Sequence, residues 1–249
     1  MAGAGPSAAE RERVQRIRDN YDAVRARVDA AAARAGRRAD SVRVMAVTKS
    51  FPVDHALAAV AAGLDLLGEN RVQEAAGKHG DRSKHDGCSR PYELHLVGHL
   101  QRNKARDAAR LFDAVQSIDA VHTAVALERR CATLDRTMPI LLELNASGEP
   151  TKAGFRAADD LLAAAEEIAA GCPHLTLGGV MTIGAHTDDE AVVRASFARL
   201  RAVHERLLGD HAGARELSMG MSQDFELAIE EGATLVRLGT ALLGPRPTS

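Results

Sequence analysis

The chain opens on a helical stripe. Val14, Ile17, Tyr21, Val24, Val28 and Ala31 recur every three or four residues and so share one face of a helix. Ser7, three residues before Glu10, reads as a capping box, and Gly36 marks the end. The spacing predicts an amphipathic helix over about 7–36. Then the period changes. Short apolar runs follow at VRVMAVT (42–48), LDLLG (64–68), ELHLVG (93–98), DAVQSI (113–118), PILLELN (139–145), LTLGGVM (175–181), ARELSM (214–219) and TLVRLG (234–239). Ala-rich helical stretches such as DHALAAVAAG and DDLLAAAEEIAAG lie between them. Strands alternating with helices predict a parallel sheet, and eight strands close a barrel. The expected fold is therefore α/β: a (β/α)8 TIM-type barrel with an extra N-terminal helix, one domain over 1–249 with the barrel at about 42–246. A doubly wound sheet competes, but no Gly-rich fingerprint follows the first strand. The polar stretch 77–90 reads as a surface loop.

In such a barrel, chemistry comes from the carboxyl ends of the strands. Here those ends are polar: Thr48 and Lys49, Glu69 and Asn70, His99 and Gln101, Ser117 and Asp119, Asn145, Met181 and Thr182, Ser218, then Gly239 and Thr240. The last two strands are each followed by a turn with little side-chain bulk, at Ser218, Gly220 and Ser222 and at Gly239 and Thr240. Two such turns with free N–H groups make a cup for an anion, most often phosphate. Lys49 ends the almost wholly apolar strand VRVMAVTK. A lysine there loses hydration, which lowers its pKa and frees a nucleophilic amine. Taken alone, Lys49 could equally be a lysine reaching for solvent. With a phosphate cup across the same mouth, it describes a pyridoxal phosphate site. Arg237, two residues before Gly239, either meets the ring nitrogen of such a cofactor or serves a structural ion pair. His95 and His99 have i, i+4 spacing, but Gly98 and the strand pattern oppose a helix that would present both to a metal, so no metal site is expected.

Composition narrows the partners. The chain has 249 residues and a formal net charge of -2, which opposes general nucleic-acid binding. It carries three scattered cysteines, which points to a reduced cytoplasmic protein without a disulfide framework. No apolar run is long enough to span a membrane, and no signal peptide is evident.

Eight motifs in order carry a family resemblance: AVTKSFP (46–52), GENRVQEA (68–75), HLVGHLQRNK (95–104), QSID (116–119), NASGEPTKAGF (145–155), GGVMTIG (178–184), LSMGMSQDFELAI (217–229) and VRLGTALLGPR (236–246). The chain resembles the pyridoxal phosphate homeostasis proteins, relatives of the alanine racemase N-terminal barrel (the fold-type III barrel). Two aromatic positions of that family are leucines here, Leu94 and Leu243. The resemblance implies that Lys49 carries pyridoxal 5'-phosphate as a Schiff base. It implies that Ser218, Gly239 and Thr240 bind the phosphate, helped by Gly220, Met221 and Ser222. Asn70 and His99 would line the ring or the mouth.

The implied function is cofactor homeostasis: holding a reactive aldehyde and supplying it to apo forms of pyridoxal phosphate enzymes, as a monomer. The rival is an amino-acid racemase or related enzyme. Racemisation needs proton donors on both faces of the carbanion, and the only tyrosines, Tyr21 and Tyr92, are not at strand carboxyl ends. A third alternative is a cofactor-free barrel enzyme acting on a sugar phosphate. Lys152, in the loop after the fifth strand, is expected to open onto the same mouth as Lys49, as a second amine or cationic gate or else as a solvated lysine.

Overall fold

The computed structural model describes residues 7–80 and 91–245. Eight parallel strands form a closed barrel in sequence order: β1 (Arg43–Val47), β2 (Leu66–Glu69), β3 (Glu93–Leu96), β4 (Ala114–Ile118), β5 (Met138–Glu143), β6 (Leu175–Met181), β7 (Glu216–Ser218) and β8 (Leu235–Leu238). All eight predicted strands are present. β8 returns to β1, with Val236 beside Val44 and Arg237 beside Met45.

The helices are α1 (Ala8–Arg34), α2 (Val53–Ala62), α3 (Val72–His79), α4 (Ala105–Leu111), α5 (Val121–Thr133), α6 (Ala158–Gly171), α7 (Glu190–Asp210), α8 (Phe225–Glu230) and α9 (Thr240–Leu243). The capping box of α1 forms in both directions: Glu10 N donates to Ser7 Oγ at 3.2 Å and Ser7 N to Glu10 Oε2 at 2.6 Å. Its stripe packs against α2, α8 and α9, with Ile17, Val24, Val28 and Ala31 buried. Among the described residues, no helix is long and apolar enough to cross a membrane.

Two cores result from the strand alternation. The large one lies between strands and helices. A small one, Met45, Val47, Leu66, Val97 and Leu235, forms a separate cluster. Val47 also lines the cavity described below, so Lys49, two residues on, falls on the same side.

Three details differ from expectation. Gly77, Lys78 and His79 are helical, not loop, because Lys78 and His79 reach buried partners on β2; residues 81–90 lie outside the described residues. Glu69 does not join the polar ring at the mouth: it is buried toward α3. β6 carries a bulge, since Ile140 pairs with Leu177 but Leu141 with Gly179, which skips Gly178.

Candidate functional site

One cavity opens at the carboxyl ends of β1, β2 and β8. Lys49, Asn70 and Arg237 line it, together with Met221, Ser222, Gly239 and Thr240. Phe51, Val97 and Ile183 complete its apolar walls; no motif singled them out for this role. The turn after β1 places Lys49: Phe51 N bonds to Thr48 O at 3.1 Å, and Ser50 takes φ +65°, a conformation uncommon outside glycine.

The two C-terminal turns meet at Ser222. Its Oγ accepts from Gly239 N and Ala241 N, both at 3.3 Å, so the N–H groups that open α9 converge on one oxygen position. Arg237 N bonds to Gly220 O at 3.0 Å and fastens the first turn to β8. Gly220 itself does not line the cavity. It has φ +93°, and a Cβ there would lie 2.6 Å from Ala228 Cβ, so its part is to let the turn fold against α8.

Ser218 requires a correction. Its hydroxyl is fully buried and does not line the cavity. It accepts from Arg237 Nη1 and donates to Gln116 Oε1, both at 2.7 Å. Gln116 Nε2 then meets His95 Nδ1 at 2.9 Å, and His95 Nε2 meets Glu93 Oε2 at 3.3 Å. Ser218 is thus one link in a polar line through the barrel interior, and its single O–H donor, the part a phosphate would need, is already given to Gln116. His99 lies beside the cavity and not in its lining. It stands half exposed, 2.9 Å from Asp119, in an adjoining groove that shares only Asn70 with the cavity. Lys152 does not face Lys49's cavity either. Its Nζ donates to Glu149 Oε1 at 2.6 Å and Gly184 O at 2.7 Å, in a neighbouring cleft with Ile183 and Met221 as the shared wall.

Arg237 is buried, and that burial pulls its pKa down to about 10, against the pull of Glu143 and Asp224. It remains a cation at neutral pH. Nη2 donates to Thr182 O at 2.7 Å, so with the Ser218 bond the guanidinium is fixed at two points. Glu143, at the end of β5, was missed. Burial first, then Asp119, push its carboxyl up to about 7, while Arg237 and His99 pull the other way. The signal was present in PILLELN, where one acid interrupts an apolar strand.

Glu143 gives a pH signature. Folding favours its neutral form, so the cost of ionising it in the fold is absent below its ordinary 4.5, grows as pH rises toward about 7, and is constant above. A displacement of that size corresponds to about 3 kcal/mol. Glu143→Gln, measured by urea unfolding, is expected to gain stability over wild type by about that amount between pH 4 and pH 8. A difference independent of pH would contradict the assignment.

The comparisons with known proteins follow the same geometry. The family described as "Alanine racemase, N-terminal domain" matches residues 19–247. A pyridoxal phosphate homeostasis protein of Pseudomonas aeruginosa is 43% identical over 231 residues, covering 92% of this chain and 96% of the relative. The structure of PipY from Synechococcus elongatus with pyridoxal phosphate bound is similar at 35% identity and TM-score 0.72, over 82% of this chain and 93% of that one. An alanine racemase of Clostridium difficile shares the fold alone, at 15% identity and TM-score 0.72, covering 94% of this chain and 58% of the racemase.

Proposed function

We propose, from the premise that this chain belongs to the family of pyridoxal phosphate homeostasis proteins, built on the alanine racemase N-terminal domain, that it binds pyridoxal 5'-phosphate at the barrel mouth and holds it covalently through Lys49. One observation carries this: Lys49 and the Ser222–Gly239–Thr240 cup line the same cavity. The donor set suits the cofactor. An amine is present for an aldehyde, hydroxyls and converging N–H groups for a phosphate, and a fixed cation lies between strand ends for the ring. When bound, the cofactor supplies an aldehyde open to capture by an amine and a ring that withdraws electrons.

The residues then divide the work. Ser222, Thr240 and the N–H groups of Gly239 and Ala241 hold the phosphate; Ser218 acts one step back by holding Arg237. Arg237 is a donor only. Facing the ring nitrogen, it leaves that nitrogen unprotonated, which weakens electron withdrawal and favours storage over transformation. Asn70, Phe51 and Val97 wall the ring.

The racemase alternative needs a second proton donor opposite Lys49. Neither tyrosine is placed for it: Tyr21 lies on α1, and the Tyr92 hydroxyl is 3.0 Å from His79 Nδ1 on α3. The role that fits is that of a cytoplasmic, monomeric carrier that yields its cofactor to apo-enzymes. The test is a panel of amino acids incubated with the loaded protein, alongside transfer to an apo-enzyme. Transfer without steady turnover is expected. Racemisation or decarboxylation faster than about 1 s⁻¹, the low end of ordinary enzymes, would overturn the carrier role.

A further inference from the structure

α3 touches the site at neither its ligand cup nor its walls, yet it grips the chain on both sides of Lys49. On the N-terminal side, Lys78 Nζ donates to Thr48 O at 2.8 Å. On the C-terminal side, Ser50 N donates to Glu74 Oε1 at 2.6 Å. Lys78 and Glu74 join each other one helical turn apart at 2.8 Å, so the two grips are one unit. The unit is anchored from behind. Lys78 reaches the fully buried Glu69 Oε1 at 3.0 Å, and Thr48 Oγ1 donates to the same oxygen at 2.6 Å.

Lys78 Nζ donates to Thr48 O and Glu69 and forms an ion pair with Glu74. Lys78 is therefore bound in place rather than a competing amine. Glu74 is held as firmly: burial raises its pKa, but Lys78 and the Ser50 amide outweigh that and keep it below the ordinary carboxylate range. At the second grip, Ser50 adopts φ +65°, a conformation uncommon for a residue other than glycine.

We propose that Lys78 and Glu74 are positioning residues for Lys49: together they fix the peptide groups on either side of it and so set the direction from which its amine approaches a carbonyl. This rests on Lys49 being the capturing amine, as above. A displacement of about 1 Å at a reacting group can cost about a hundredfold, so the effect falls on capture and spares the phosphate cup.

Two probes separate those parts. Pyridoxal 5'-phosphate engages cup and lysine; pyridoxine 5'-phosphate, an alcohol, engages the cup alone. The aldehyde-over-alcohol affinity ratio is to be measured by calorimetry for wild type, Glu74→Ala and Lys78→Met. In both variants the ratio is expected to fall about tenfold or more, with alcohol affinity within about twofold of wild type. A ratio equal to wild type, or equal losses for both ligands in Glu74→Ala, would overturn the positioning role. If Lys78→Met fails to fold, the less buried Glu74→Ala decides alone. Equal affinities for the two ligands in wild type would instead refute Lys49 as the capturing amine, and the positioning role with it.

Discussion

Lys49→Ala is expected to lose the visible absorption that the wild-type protein shows with pyridoxal 5'-phosphate, and to bind that ligand on the order of a hundredfold more weakly. The size follows from the geometry of capture. An amine held beside its target acts at a very high effective concentration, so its loss costs on the order of 3 kcal/mol or more. Lys49 is half exposed at a strand end and outside both hydrophobic clusters, so the fold survives the change. Borohydride reduction of the wild type followed by peptide mapping should tag Lys49. A tag on Lys78 or Lys152, whose ammonium groups bond to carboxylates and carbonyls, would overturn the assignment of Lys49.

The largest loss of stability is expected at Gly179. At this residue, in the β6 bulge, φ is +149°, and an added Cβ would collide with the Glu216 carbonyl oxygen on β7 and lie 2.8 Å from the Glu216 nitrogen. Both are backbone atoms of a paired strand, so neither can swing aside. Gly179→Ala must therefore part β6 from β7 or refold the bulge, at a cost on the order of 4 kcal/mol, a large share of a domain's whole stability. Gly178 next to it is the control. A Cβ there meets Ile140 O at 3.4 Å, an ordinary contact, so Gly178→Ala should cost far less. Equal midpoints for the two variants in urea unfolding would show that the bulge is not the constraint.

Much of this was legible in the residue pattern, for physical reasons. Parallel barrel strands are buried on both faces and read as apolar runs, so all eight were visible, and the α1 stripe marked its own face. Lys49, Asn70, Arg237 and the two turns were legible because polar or small residues at the end of an apolar strand stand out. Ser218 misleads for the same reason. A strand end does not say whether a side chain points up into the mouth or down into the barrel, and Ser218 points toward Gln116 and Arg237. His99 and Lys152 sit at the right level but on neighbouring clefts, which depends on loop paths that no periodicity encodes. Lys78 was hidden in what looked like a polar loop. Its role depends on a contact with Thr48 across 30 residues of chain.

Because β1 is the first strand of the barrel and β8 the last, the seam that closes it also joins the two halves of the site. During synthesis Lys49 emerges after one strand, but the turn at Gly239 and Thr240 arrives only after all eight strands are out. With the proposed site, a nascent chain would have an amine without an anchor. Tight retention becomes possible only when the seam is shut. A ligand held by both halves, as proposed for Lys49 and this turn, would favour the shut form by mass action.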